Sequence, residues 1–213
     1  MTTSRKQARG DRSRELILDT AERLMAGRGY SGTAMSAICR ETGLPATSIY
    51  WHFGSKQGLL AAVMERGARR WFAALPDWDD TSDETAEEQA ARLTERGADA
   101  LTEQPAFLRL FYLLALDSAD DLDAAALVRR VRDTANQRFR RVIEEMLAAE
   151  HPPEVAGPAA EELARFAVAC SDGCFFAVAL EPGETDARRM FADLFLAVRA
   201  LAPAAIHRAR RET

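Results

Sequence analysis

The sequence predicts an all-α protein, and three observations carry that prediction. Alanine, the strongest helix former, occurs 41 times against 8 valines and 5 isoleucines, about threefold more than those two β-branched residues together. Of 213 residues, 47% are hydrophobic and 29% charged, with only 12 Gly and 8 Pro, which excludes disordered and collagenous chains and is ample for a core. Apolar residues recur at helical rather than alternating spacing along most of the chain.

Each element follows from local pattern. Over 12–28, Leu16, Ile17, Ala21, Leu24 and Met25 fall at helical spacings with Glu15, Asp19, Glu22 and Arg23 between them, an amphipathic helix that stops at Gly27-Arg28-Gly29. Thr33 is a good N-cap for a short second helix through Met35, Ala37, Ile38 and Cys39. Gly43 suits a tight left-handed turn, and Pro45 suits the first position of a third helix that runs to about His52. In that helix Ile49 and Phe53 face the other helices, which leaves Ala46, Thr47, Tyr50 and Trp51 outside. Two large aromatics therefore point at solvent or a partner.

Ser55 can cap a fourth helix from Lys56 to about Leu75, with Leu59, Leu60, Val63 and Met64 inward. An acidic loop over 76–83 precedes a helix over 84–103, which breaks at Gln104-Pro105. From Phe107 to Leu116 the chain is apolar nearly all round, as expected of a helix inside a bundle. A break over 117–121, a long amphipathic helix over 122–150, a loop from His151 to Pro158, and helices over 159–180 and 186–201 complete about nine helices.

The net charge of −5 hides an asymmetry, because residues 1–75 carry 12 Lys+Arg against 6 Asp+Glu while the remainder carries −11. A basic head on an acidic body suggests a DNA-contacting segment. The N-terminus has no apolar h-region, and no stretch approaches the roughly 18 consecutive apolar residues of a bilayer span. Cys39, Cys170 and Cys174 form neither an even disulfide framework nor a paired zinc pattern. The expectation is a cytoplasmic protein with no membrane partner, no metal and no cofactor.

Two short helices joined by a Gly-containing turn match the helix-turn-helix, whose second helix enters the major groove. The segment from Thr33 to Leu60, with Ile49, Tyr50, His52, Phe53, Lys56 and Leu59 in a ϕ-Tyr-x-His-Phe-x-x-Lys-x-x-Leu pattern, resembles the signature of the TetR family of transcriptional regulators. The resemblance covers about 12–72. It implies a basic arm at 1–11, a DNA-binding domain at 12–72 with the helix-turn-helix at about 33–53, and an effector-binding and dimerisation domain at 76–213. By this resemblance Tyr50, His52 and Lys56 contact phosphates. Base reading falls to Ala46, Thr47 and Trp51 with Met35 nearby, and Thr33 and Pro45 complete the interface. Pro45-Ala46-Thr47 stands where many relatives carry Ser-Lys-Gly. Arg5, Lys6, Arg9, Arg12 and Arg14 form either an arm on the DNA or a solvated tail.

The same resemblance implies a double-stranded palindromic DNA partner, a homodimer, and a small apolar or amphipathic effector that releases a repressor. Trp71, Phe107, Phe111, Tyr112, Phe139, Phe166, Cys170 and Phe175 are candidate lining for an effector pocket, with a filled core as the alternative. Tyr112, Asn136, Gln137 and Ser171 are candidate polar groups within it. The arginines of the 122–150 helix form an anion site or a solvated face, and Cys170 and Cys174 a redox pair or small buried hydrophobes. Gly173, Phe176, Phe191, Leu194, Phe195 and Val198 are expected at the dimer interface. Only three histidines are present, and no nucleophile elbow, phosphate loop, dinucleotide fingerprint or His-Glu-x-x-His occurs, which argues against an enzyme. A helical protein–protein adaptor is the alternative, but it leaves the Tyr50-Trp51-His52-Phe53 segment without a role.

Overall fold

A computed structural model describes residues 2–75, 77–79, 81–117 and 122–212. The side chains of Arg5, Lys6 and Arg9 and the break at 118–121 lie outside the described residues. Among those described are nine helices and no strand: α1 (Thr2–Arg28), α2 (Met35–Thr42), α3 (Ala46–Phe53), α4 (Lys56–Ala74), α5 (Ala86–Glu103), α6 (Pro105–Asp117), α7 (Leu122–Ala148), α8 (Pro153–Leu180) and α9 (Ala187–Glu212). Packing divides the chain into two compact units, residues 1–70 with 104–129 and residues 71–103 with 130–213.

In the first unit, Ile17, Leu18, Ala21 and Met25 of α1 are fully buried, together with Ile38, Ile49, Leu59 and Met64 of the next three helices. Of the residues expected inward on α1, Ile17, Ala21, Leu24 and Met25 are buried, but Leu16 is 45% exposed and Leu18 is buried in its stead. α6 packs on α1 and brings Phe107 and Leu110 into the same core. Arg66 of α4 is 4% exposed and ties α4 to α1, with Nη1 2.7 Å from Asp19 Oδ1 and 3.0 Å from Glu15 Oε2, and Nη2 2.7 Å from Glu22 Oε2. These carboxylates meet the two terminal nitrogens of the buried guanidinium, while its Nε is buried without a hydrogen-bond partner.

Several boundaries differ from the sequence reading. α1 is helical from Thr2 rather than residue 12, and the run Arg5-Lys6-Gln7-Ala8-Arg9 within the added segment consists of good helix formers. α8 begins at Pro153 and runs through Pro158, and α9 runs through Pro203 to Glu212, so these prolines interrupt single hydrogen bonds without ending the helices. Burial explains the tolerance: Val155, Ala156 and Ala159 flank Pro158, and Ala205, Ile206 and Ala209 follow Pro203, all buried and most of them in the α8–α9 core. α5 begins at Ala86, where Thr85 and Glu88 form a capping box: the Thr85 N–H donates to Glu88 Oε2 at 2.9 Å, and the Glu88 N–H donates to Thr85 Oγ1 at 3.2 Å.

In the second unit α8 packs along α9, and α5 lies against α9. α8 and α9 are each long and apolar enough, by length and composition, to cross a membrane. Their apolar faces meet one another instead, through Ala160, Leu163, Ala164, Ala167, Val198 and Ile206. Gln89, 3% exposed, fastens the preceding loop to α5 by accepting from the Asp79 N–H and donating to the Asp79 carbonyl, both at 3.1 Å.

Candidate nucleic-acid interface and ligand cavity

Local chemistry shapes the α2–turn–α3 element. Gly43 sits at φ 68°, a left-handed conformation that suits glycine, and lets the chain reverse between the helices. The Thr42 hydroxyl donates to the Ile38 carbonyl at 2.8 Å and accepts from the Leu44 N–H at 3.3 Å. Pro45 is the N-cap of α3 rather than its first turn, and Gly54 closes the helix with its N–H on the Tyr50 carbonyl. Ser55 caps α4 by accepting from the Gly58 N–H at 2.9 Å.

Ile49 is fully buried and fixes the rotation of α3, so Ala46, Thr47, Tyr50 and Trp51 stand together on the outer side. Trp51 is 78% exposed, an uncommon setting for so large an apolar surface and one that suits a partner. Pro45 is exposed beside this face, while Met35, His52 and Lys56 are half-buried. The His52 ring meets Trp51 edge-on at 4.6 Å. Lys56 rests its ammonium 4.4 Å from the Tyr30 ring centre, and burial lowers its pKa from the ordinary 10.5. Arg14 lies over Phe53 at 5.5 Å, and Arg12 is exposed.

Thr33 departs from its expected place. It is fully buried and its hydroxyl donates to the Gly29 carbonyl at 2.8 Å, while Ala34 takes the N-cap position of α2. The side chain therefore closes the α1–α2 turn from inside, and a buried hydroxyl with its donor spent there does not face DNA.

The second unit holds a cavity of about 130 Å³ with a mainly apolar wall, to which Trp78, Leu93, Phe139, Phe191, Phe195 and Val198 contribute. Gly97 gives room for this arrangement, since a Cβ there would stand 2.9 Å from Phe191 Cε1. Its polar lining is Asp77, Thr94, Arg138 and Arg141. Arg138 is committed to the chain around it: Nη1 donates to the carbonyls of Phe72 at 3.0 Å and Leu75 at 3.2 Å, Nη2 lies 3.1 Å from Asp77 Oδ1, and the guanidinium stacks 5.1 Å from the Phe72 ring. It thus caps the C-terminal end of α4.

Of the eight residues expected in a pocket, only Phe139 lines this cavity. Phe107 and Phe111 are buried in the first unit, where Tyr112 meets Phe111 edge-on at 5.2 Å. Trp71 is half-buried on α4, Phe166 is exposed, Cys170 is half-buried, and Phe175 is buried beside Phe176 at 5.7 Å. Conversely, Phe191, Leu194, Phe195 and Val198, expected between subunits, all line the cavity, while Gly173 and Phe176 remain exposed. Apolar periodicity identifies a covered face without saying what covers it, and α5 covers this one. Tyr112, Asn136, Gln137 and Ser171 are not among the lining residues. Within the arginine-rich stretch, Arg132 pairs with Asp172 and Arg140 with Glu144, while Arg129 and Arg130 are exposed. Burial pushes the Cys170 and Cys174 thiols up from the ordinary 9.0, which disfavours reactive thiolates.

Trp78, Thr94 and Gly97 escape the sequence reading, and Arg138 enters it only as one of the arginines of the 122–150 helix. Trp78 lies in an acidic loop, Thr94 and Gly97 lie in a polar helix, and Arg138 is one arginine among six in its segment. A Gly inside a helical pattern was the one legible sign of close packing there.

With this geometry in hand, residues 17–63 match the model of a family described as bacterial regulatory proteins, tetR family. The HTH-type transcriptional regulator LmrA of Bacillus subtilis (strain 168) is 46% identical over 55 residues, 25% of this chain and 29% of that protein. The aligned segment thus spans less than a third of that relative. Among solved structures, a protein of Pseudomonas aeruginosa PAO1 described as a transcriptional regulator superposes with TM-score 0.73 at 19% identity, covering 92% of each chain. One from Saccharomonospora viridis, solved in complex with choline, gives TM-score 0.68 at 23% identity over 86% of this chain and 94% of that one. These two likenesses establish a shared fold.

Proposed function

From the match of residues 17–63 to the tetR family model, we propose that this chain is a regulator of that family, a cytoplasmic repressor that binds a palindromic operator as a homodimer and is released by a small effector. The observation that carries the reading is the outer side of α3, where Ala46, Thr47, Tyr50 and Trp51 are all exposed while Ile49 anchors the helix from behind. Tyr50, His52 and Lys56 hold phosphates and set register, and Ala46, Thr47 and Trp51 meet base edges, with Ala and the Thr methyl suited to a thymine methyl.

An exposed apolar stripe supports the dimer. Phe166, Gly173, Phe176 and Leu180 follow one another at helical spacings on α8, and Leu196 is exposed on α9. Such a stripe is self-complementary when two copies meet about a two-fold axis, which would present two α3 helices to half-sites about 34 Å apart.

Release requires an effector that prefers one of two states. Weakening DNA binding 100-fold takes about 2.7 kcal/mol of preference. Arg138 supplies a route, since it lines the cavity and also grips the end of α4, a helix that begins at Lys56 beside the recognition element.

Selection of bound fragments from a random DNA pool at fixed near-physiological salt tests the reading, with sedimentation of the free protein alongside. An enriched palindrome and a dimer are the expected results. A dimer that enriches no sequence, with or without candidate effectors, would favour a protein–protein adaptor.

A further inference from the structure

We propose that the cavity of the second unit is a site for a small, uncharged, ring-containing molecule carrying one hydrogen-bond donor, of the size and chemistry of a phenol or an indole. The inference rests on the effector reading above and specifies the ligand class.

Size comes first. The space is about 130 Å³, comparable to apolar cavities of roughly 150 Å³ that accept a benzene ring. Aromatic rings from three separate segments bound it, Trp78 in the loop before α5, Phe139 on α7, and Phe191 and Phe195 on α9. A flat ring can meet such rings edge-on or offset, and that geometry adds to the gain from burial alone.

Charge comes next. A carboxylate or ammonium entering this wall gives up its hydration and needs a partner in return. Arg138 already donates to two carbonyls and pairs with Asp77, and Asp77 is in turn neutralised by Arg138. Neither is available to a charged ligand without uncapping α4. Arg141, which also lines the cavity, is likewise engaged by an interaction within the chain and is not a free partner for a carboxylate.

Thr94 supplies the polar selection. Its hydroxyl proton is committed to the Ala90 carbonyl at 2.7 Å, so toward the cavity the oxygen can only accept. A phenol O–H or an indole N–H satisfies that acceptor. Ile143, Met146 and Val198 line both the cavity and an adjoining open groove of about 710 Å³, which gives an apolar way in.

The test is calorimetric titration of the DNA-free full-length chain with phenol, indole, toluene, benzoate, choline and decanoate. Phenol and indole should bind at one site per chain, with phenol about three- to tenfold tighter than toluene. Tighter binding of benzoate, choline or decanoate, or no binding by any compound, overturns the proposal. Ala90→Leu, which fills the cavity from α5, should abolish binding while the thermal transition persists, and a folded variant that still binds refutes the location. Thr94→Val reads the selection even if the first variant fails to fold. It should bring phenol and toluene within twofold of each other, and an unchanged ratio removes Thr94 from the site. A chain that binds phenol but selects no DNA would sink the regulatory reading alone, whereas one that selects DNA but binds none of the probes sinks this one alone.

Discussion

Replacing Gly67 by alanine should destabilise the first unit, against the ordinary rule for helices. In an open helix interior the change gains about 1 kcal/mol because glycine gives up more backbone freedom on folding. At this position of α4 the added Cβ would stand 2.3 Å from Phe107 Cδ2, 2.9 Å from Cγ and 3.1 Å from Cε2. Carbon atoms pack at about 3.5–4.0 Å, so the ring must retreat by more than about 1 Å. Phe107 is only 2% exposed and sits among the packed side chains of α1, α4 and α6, with nowhere to retreat. Overpacking costs about 1–3 kcal/mol, and an overlap of this size belongs to the upper half of that range, about 2–3 kcal/mol, which leaves a net loss of about 1–2 kcal/mol after the helix gain.

Thermal and urea unfolding of Gly67→Ala, Phe107→Leu and the double variant make the test quantitative. The single alanine variant should lose about 2–8 °C in Tm, taking about 2–4 °C per kcal/mol for a chain of this size. Phe107→Leu alone is destabilising because it leaves a void. In its background the alanine should be neutral or stabilising, a coupling of at least about 1 kcal/mol between the two sites. A Gly67→Ala protein more stable than the parent, or the same alanine effect in both backgrounds, would refute the close-approach argument.

Four further outcomes follow from the geometry. Tyr50→Ala and Lys56→Ala should each weaken operator binding, and loss of a phosphate contact at Lys56 should lower the slope of log K against log salt by about 0.9 per subunit; an unchanged slope would place Lys56 off the backbone. Gly173→Ala, where the chain offers no heavy atom within 4 Å, should stabilise α8 by about 1 kcal/mol in the free subunit yet weaken self-association measured by sedimentation; unchanged association would remove Gly173 from the subunit contact. Arg138→Gln, which gives up the two carbonyl hydrogen bonds and the Asp77 pair, should cost about 1–2 kcal/mol in denaturant unfolding and blunt the release of DNA by cavity ligands, and intact release would sever the proposed link to α4. Glu88 is held below its ordinary 4.5 by the Thr85 N–H and hydroxyl. Its contribution is therefore present above that value and lost as the pH falls through the lowered folded value, so Glu88→Gln should flatten the acid limb of a stability–pH profile, and an unchanged limb would discount the capping box.

What the residues disclose in advance depends on whether a feature is local. The α2–turn–α3 element was legible because its determinants are neighbours in the chain: Gly43 for the reversal, Gly54 and Ser55 for the end of one helix and the start of the next, and Ile49 for the rotation that exposes Tyr50 and Trp51. Thr33 had the right residue type for an N-cap, but its placement depends on a carbonyl at Gly29 that folds beneath it. Prolines at 158 and 203 look like helix ends because the local rule weighs one lost hydrogen bond, whereas the packing of α8 on α9 holds many residues helical on either side. The cavity is the least legible feature. Phe191, Leu194, Phe195 and Val198 announce an apolar face on α9, but only the tertiary fold decides that α5 and Trp78 lie opposite. Arg138 is hidden for the same reason, since its partners at Phe72 and Leu75 lie more than sixty residues away.

The placement of the three tryptophans gives this chain its own optical instrumentation. Trp51 stands in water on the outer side of α3, Trp78 borders the cavity, and Trp71 is half-buried near the end of α4. A polar surrounding shifts indole emission to the red and an apolar one to the blue, so the three rings should report at different wavelengths. A variant that keeps Trp51 alone would register the docking of the head, and one that keeps Trp78 alone would register occupancy of the body. Trp71 would register strain passing along the helix between them. Stopped-flow traces of these variants would test whether occupancy precedes a change near Trp71 and a change at Trp51, as the proposed release requires, with no label attached to the protein.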